Sequence, residues 1–456
     1  MSSLNSILSI ASGSLQAEQG ALSVTTNNIA NSNTPGYTRE VVNLSESQPI
    51  SDGDGEMGTG VTLQGFQSIR DEVLQSQINN QTQQANYSLA QSNAMQQVQT
   101  SFSSTTSGIG ADMTAFFNSI SQMTTNPADS SQRQAVFSNA TTLVNDFHAA
   151  SSGISQLQTG LDETVPKSVT EINQLTTQIA TLNQQVASMQ LAGQDPGTVE
   201  DQRDQLVSQL SQLTNVQTSN TPNGETITTG NGTALVVGNQ AFALSSSTGS
   251  NGLQEVMQNG QDITSTLTGG SLGGTLQVRD SQLPALQNQL DSLASQFSSA
   301  MNTANESGYD STGAAGQAIF TTSGSSGAAA SIQLALTSPS QIAASSDGTA
   351  GSGGNLTNLL AVQTNTLPSG STPLDAYSGI VYTVGNAASQ AQSNNTAANA
   401  ALSQLQTQQA SISGVSIDQE TTNMIQYQQA YQAAAKVVST VDSLYSILIS
   451  MGLTTA

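Results

Sequence analysis

The sequence predicts a mainly α chain with a β-rich insertion: paired N- and C-terminal coiled-coil helices, a long helical bundle shaft and a small outer β-rich domain. Three observations predict it. Apolar residues recur every seven positions at both ends of the chain. They recur every three or four positions over residues 68–214, and near residue 215 the period drops to two.

Residues 4–30 read as a helix. Leu8, Leu15, Leu22 and Ile29 step by seven, with Leu4 and Ala11 on the interleaved register, which is the apolar stripe of a coiled coil. Glu18 interrupts that second register, and the flanking positions hold Ser, Gln, Asn and Thr instead of charges. The stripe ends in the segment "NNIANSNTPGYTRE", residues 27–40. Pro35 pushes Thr34 out of the α region. Thr34-Pro35-Gly36-Tyr37 fits a type II turn, with Pro second and Gly third. Asn28 and Asn31 accompany this helix stop. Tyr37 has no evident local role and is assigned to a subunit contact.

The C-terminal end mirrors the first. Ile417, Met424, Tyr431, Val438 and Tyr445 step by seven, and Tyr427, Ala434, Val441 and Leu448 fill the paired register. Matching seams at 1–38 and 414–456 are expected to pair with each other. Such a pair, with little charge pairing on its outer faces, is marginal alone. Further copies of the chain are therefore expected to complete it. The residues assigned to that packing are Leu8, Leu15, Leu22, Ile29, Met424, Tyr431, Val438, Tyr445 and Leu448.

Between the ends, Met113, Phe116, Phe117, Ile120 and Met123 mark one buried helical face. Asn126-Pro127 breaks that helix, and Asp129 or Ser130 is placed to cap the next, which carries Val136, Phe137, Ala140, Val144 and Phe147. Val169, Ile172, Leu175, Ile179, Leu182, Val186 and Met189 trace a third stretch, closed by Gly193 and Asp195-Pro196-Gly197. Beyond it, Thr226-Ile227-Thr228, Ala234 to Val237 and Phe242 to Leu244 read as short strands between Gly and Asn turns. Residues 281–304 look helical again, and a last shaft segment begins near 373 with Tyr377, Ile380 and Val384. The expected division is a shaft of 39–214 with 373–413 around an outer unit of 215–372.

Composition excludes several functions. Seven cations face 30 acids, a net charge of −23, and the cations are scattered. Nucleic acid and anionic membranes both demand clustered cations, so neither is expected as a partner. No cysteine is present, so no disulfide or thiolate site exists. No span of about 20 apolar residues is evident, and the first 30 residues lack the cationic start of a cleavable signal.

No catalytic, cofactor or metal site is predicted. Asp52, Asp54 and Glu56 invite a calcium reading, but an EF-hand loop from Asp52 would place Leu63 at its acidic twelfth position. His148 stands alone, and Asp201, Arg203 and Asp204 read as surface charge on a polar helix face.

The segment at 27–40 closely resembles the N-terminal signature of bacterial flagellar axial proteins, the rod, hook and hook-associated family. "GVSIDQETTNMIQYQQAYQAAAKVVSTVDSLYSILISMG", residues 414–452, resembles their C-terminal helix. "IRDEVLQSQI" (69–78), "NPADSSQRQAVFSNATTLVNDF" (126–147), "EINQLTTQIATLNQQV" (171–186) and "DQRDQLVSQLSQL" (201–213) are similar to the hook-associated members.

The resemblance implies a structural, non-enzymatic subunit that polymerises with itself at the hook–filament junction. It further implies contact with hook protein and a second junction protein, and unfolded export through the flagellar type III apparatus with a chaperone on the C-terminal helix. The protein would then be secreted and extracellular. The alternatives are another axial protein, or a carbohydrate-binding module or enzyme carried on the central insertion. Nothing in 215–372 gathers catalytic groups.

Overall fold

A computed structural model describes residues 2–51, 56–102, 108–221 and 224–453. Asp52 and Asp54 of the calcium reading lie outside the described residues. Helix α1 (Ser2–Asn31) leads into an antiparallel ribbon of β1 (Glu40–Glu46) and β4 (Val61–Ser68), whose tip holds the short pair β2 (Ile50–Ser51) and β3 (Glu56–Met57). The register shifts between Asn43 and Leu44, a bulge that bends the ribbon along α1. Gly13 permits this closeness, because a Cβ there would stand 2.8 Å from the Val61 carbonyl oxygen.

The shaft follows as α2 (Glu72–Phe102), α3 (Ile109–Met123), α4 (Ser130–Asp162), α5 (Thr164–Leu191) and α6 (Gly197–Leu213). Asp129 is the residue that caps α4, its carboxylate accepting from the Ser131 amide. A four-stranded antiparallel sheet comes next, formed in sequence order by β5 (Gln217–Thr221), β6 (Gly224–Thr228), β7 (Ala234–Val237) and β8 (Gln240–Ala241). A three-stranded sheet of β9 (Ser245–Thr248), β10 (Gln254–Gln258) and β11 (Gln261–Asp262) continues it.

Helix α7 (Gly270–Gln277) passes through a π-helical turn at Val278–Gln282 into α8 (Leu283–Glu306). The two-residue strands β12 (Phe320–Thr321) and β13 (Gln333–Leu334) flank α9 (Ala328–Ser331), and α10 (Leu356–Thr364) precedes the two longest helices. These are α11 (Pro373–Ser413), capped by the Thr372 hydroxyl, and α12 (Ile417–Leu453).

Two apolar cores hold this together. Phe116, Phe117, Phe297 and Phe320 meet edge-on or tilted at the centre of the first, which joins α2, α3 and α4 to α8, α10 and α11. The second places Ile172 and Ile179 of α5 and Leu210 of α6 against Ile227, Val236 and Val256 of the two sheets. Helices from within 215–372 thus share a core with the helices before and after that segment. The strands are few and short, and they lean on α5.

Asparagine side chains fasten strands to helices where charge is scarce. The Asn173 carboxamide donates to the Leu244 carbonyl (2.7 Å) and accepts from its amide (2.8 Å). Asn183, fully buried, does the same with Glu225 and donates also to the Gly238 carbonyl. Asn302 does so with Phe320. A carboxamide carries a donor and an acceptor side by side, so it can extend a strand edge as a neighbouring strand would.

The buried guanidiniums serve the same end. Arg279 in the π turn reaches the Asp162 carboxylate at 2.7 Å and the Gln254 carbonyl at 2.8 Å, and Arg133 reaches the carbonyls of Pro127 and Ile342. His148 meets the Ile332 carbonyl oxygen at 2.7 Å.

Candidate assembly interface

The segment after α1 folds into a compact knot. Tyr37 donates its amide to the Thr34 carbonyl at 3.2 Å, closing a turn whose third residue, Gly36, has φ +80°. That angle strains any residue with a Cβ. Asn31 turns back to the Asn27 carbonyl and receives the Thr34 hydroxyl. Pro35 and Gly36 lie exposed beside Gln205 of α6.

Asn28 is the centre of the knot. It is buried, donates to the Glu40 carbonyl (2.9 Å) and the Glu420 carboxylate (3.2 Å), and accepts from the Glu40 amide and the Tyr37 hydroxyl. Tyr37 therefore has a local role that its sequence context did not reveal. Burial pushes its phenol pKa well up, and the carboxylates of Glu40, Asp201 and Glu420 push it further, so the hydroxyl stays a donor. The Glu40 carboxyl is itself raised by burial.

The next residues tie the knot to the shaft. Thr38 gives its amide and hydroxyl to Asp201 of α6 at 3.0 and 2.6 Å. Arg39 donates its amide to the Ser413 carbonyl at the end of α11, and its guanidinium stands 3.9 Å from Glu420. Arg70, at the exit of the ribbon, contacts Asp201 and Asp204 at 2.6 Å each and donates to the Gly197 carbonyl. Arg203 is buried and lies 3.0 Å from the Glu225 carboxylate, an ion contact short of hydrogen-bond geometry.

Asp201, Arg203 and Asp204 are thus not a solvated surface run. They are the shaft half of an ion network that holds the start of the ribbon. Sequence reading missed Thr38, Arg70, Ser413 and Glu420. Arg70 carried a usable signal, since a chain with seven cations has few to place at random.

Helices α1 and α12 lie antiparallel. Tyr445 donates to Asn5 near one end, and Asn28 reaches Glu420 near the other. The buried residues of α1 are mostly small, Ala11, Ala17, Ala21, Val24 and Thr25, on a helix that packs on both α12 and the ribbon, the latter at Gly13 and Gly20. On α12 the buried positions are Glu420, Ala434 and Val441. Leu8, Leu15, Leu22 and Ile29 are half-buried, as are Met424, Val438 and Tyr445, while Tyr431 and Leu448 are 39% and 47% exposed.

Both α12 registers line the contact with α1: Ala434 and Val441 of the interleaved register are buried, and Met424, Val438 and Tyr445 of the other flank them, half-buried. Apolar side chains remain exposed along α12 at Ile417, Ile425, Val437, Leu444, Ile447 and Ile449, the last 62% exposed, with Val437, Leu444 and Ile447 within about 80° of one another around the helix. One 18-residue window within Pro373–Ser450 is long and apolar enough to cross a membrane by length and composition alone, with 11% of it buried.

Three family models match the chain. One described as the helical domain of flagellar hook-associated protein FlgK covers residues 95–320. One for the flagella basal body rod protein covers 8–38, and one for the C-terminal part of the flagellar basal body rod FlgEFG proteins covers 406–451. Flagellar hook-associated protein 1 of Bacillus subtilis is 28% identical over 97% of each chain.

Its counterpart in Escherichia coli is 27% identical over 98% of this chain and all of that one. The 546 aligned positions exceed the 456 residues here, so that relative carries segments this chain lacks. The flagellar hook junction protein FlgK from Burkholderia pseudomallei shares the fold. Its TM-score is 0.67 at 22% identity, over 74% of this chain and all of that one.

Proposed function

Because the chain belongs to the flagellar hook-associated protein 1 family, we propose that it is a structural subunit polymerising where the flagellar hook meets the filament. It joins the flexible hook to the stiff filament and permits filament growth. The observation that carries this reading is the set of apolar side chains left exposed on α12, Val437, Leu444 and Ile447 among them, while Ala434 and Val441 of the same helix are buried. Each Leu or Ile covered there contributes roughly 1.5–3 kcal/mol, so a few suffice to hold a neighbour. The other copies of the chain are the first partner.

Residues 1–38 and 414–456 then act as the inner wall, 39–214 with 373–413 as the shaft, and 215–372 as the outer part. The knot around Asn28 and Tyr37 fixes the angle between inner wall and shaft. Hook protein and a second junction protein bound the segment on its two sides. The subunit travels unfolded through the type III export apparatus, escorted by a chaperone on α12, and works outside the cell. Its role is mechanical, with no reaction to catalyse and no cofactor.

The test is deletion of the gene in its native host. Electron microscopy is expected to show intact hooks without filaments, and filaments again when the gene is restored. Filaments of ordinary length in the deletion strain would overturn the proposal.

A further inference from the structure

The inner helix pair carries two charges that its own chain does not match. Glu18 occupies an apolar register position on α1, and one of its carboxylate oxygens is shut off from solvent without a hydrogen-bond partner. Burial pushes its pKa up, as expected for an acid held against apolar surface. Lys436 is the single cation in α1 and α12 together. It is exposed, lies next to the exposed Val437 and forms no ion pair among the described residues.

The two cannot meet within one molecule. Lys436 is two residues beyond Ala434, which is buried against α1, so it points about 200° away around the helix. When neighbours seal the apolar face of α12, the Lys436 ammonium loses water in the same event. A charge desolvated without a partner is strongly unfavourable, and two such charges of opposite sign are tolerable only together.

We propose that Lys436 of one copy pairs with Glu18 of an adjacent copy, and that this bond sets the register between neighbouring inner helix pairs. The proposal rests on the reading that copies pack through α1 and α12. It names which residues face each other when they do. Of the acids on α12, Glu420 already receives Asn28 and faces Arg39, whereas Asp418 and Asp442 are exposed and remain solvated. Glu18 is the acid with an unmet need.

Charge exchange in the full-length chain tests this, expressed in the deletion strain and scored by the number of filaments per cell. Glu18→Lys and Lys436→Glu should each lower that number by about tenfold or more, as an uncompensated desolvated charge would. The double variant should restore most of it. Circular dichroism of each purified chain separates a folding failure from an assembly failure.

Single variants that assemble normally would overturn the pairing and leave the junction role intact. So would a double variant no better than the singles, or rescue of Lys436→Glu by Asp442→Lys instead. A wild-type gene that fails to restore filaments would overturn the junction role itself.

Discussion

Asn28 and Glu40, twelve residues apart, exchange both main-chain bonds: the carboxamide donates to the Glu40 carbonyl at 2.9 Å and accepts from its amide at 3.0 Å. The helix end and the ribbon start are thereby locked as if they were neighbouring strands. Asn28→Ala would strand both Glu40 groups and the Tyr37 hydroxyl. The expected loss is about 2 kcal/mol or more, which raises local exchange of the Glu40 amide roughly thirtyfold. Hydrogen exchange of the free chain measures it, and unchanged protection at Glu40 would refute the role given to Asn28.

Arg70 is the pin between ribbon and shaft, through Asp201, Asp204 and the Gly197 carbonyl. Arg70→Ala removes the nearest cation from the part-buried carboxylates of Asp201 and Asp204, leaving Asp204 only Arg203 at 3.5 Å. The neighbouring Thr38–Arg39 segment should open more often, so tryptic cleavage after Arg39 should speed up by about tenfold. The rate of appearance of the fragment starting at Glu40 reports this. An unaltered rate would show that Thr38 and Ser413 hold the segment without help.

Glu225 gives the fold a pH dependence of definite sign. Burial outweighs the attraction of Arg203 and pushes its carboxyl from the ordinary 4.5 up to about 7. The folded state then binds the proton more tightly than the unfolded one. The associated stability is present below about pH 4.5 and is lost as pH rises through 7. The effect is of the order of 2–3 kcal/mol. Asp146, raised to about 6 chiefly by burial, adds to the same trend at lower pH. Chemical denaturation between pH 5 and 8 should show the decline, and Glu225→Gln should flatten its upper part.

Two faces of α12 should respond differently to charge. Leu444→Asp and Ile447→Asp alter side chains already open to water, so the free chain should keep its helix content while incorporation into flagella falls below detection. Ala434→Asp buries a charge against α1 and should destabilise the free chain by about 3 kcal/mol or more. Circular dichroism melts with fractionation of sheared flagella separate the two outcomes.

Much of this fold was legible because periodicity reports burial. The face read from Met113 to Met123 is buried, and that from Val169 to Val186 is buried except at half-buried Leu182, where the three-four spacing puts them. The Thr34–Tyr37 turn was legible because Pro and Gly restrict the backbone locally. The ion network was not, because Arg70 and Asp201 are 131 residues apart and only the tertiary fold brings them together.

Which α12 register lies deeper was not legible, for a different reason. A helix apolar on several faces offers more than one stripe of seven, and the choice among them depends on which partner residues are small. Ala434 is a buried member here, and alanine carries little hydropathy signal.

The central claim is that the apolar face of α12 is open in the free chain and closed in the assembly. The chain has no cysteine, so one placed at Leu444 is a unique probe. Maleimide labelling should be rapid on the purified monomer and slowed by at least about tenfold on intact flagella carrying the same variant. Equal labelling rates in the two states would contradict the account.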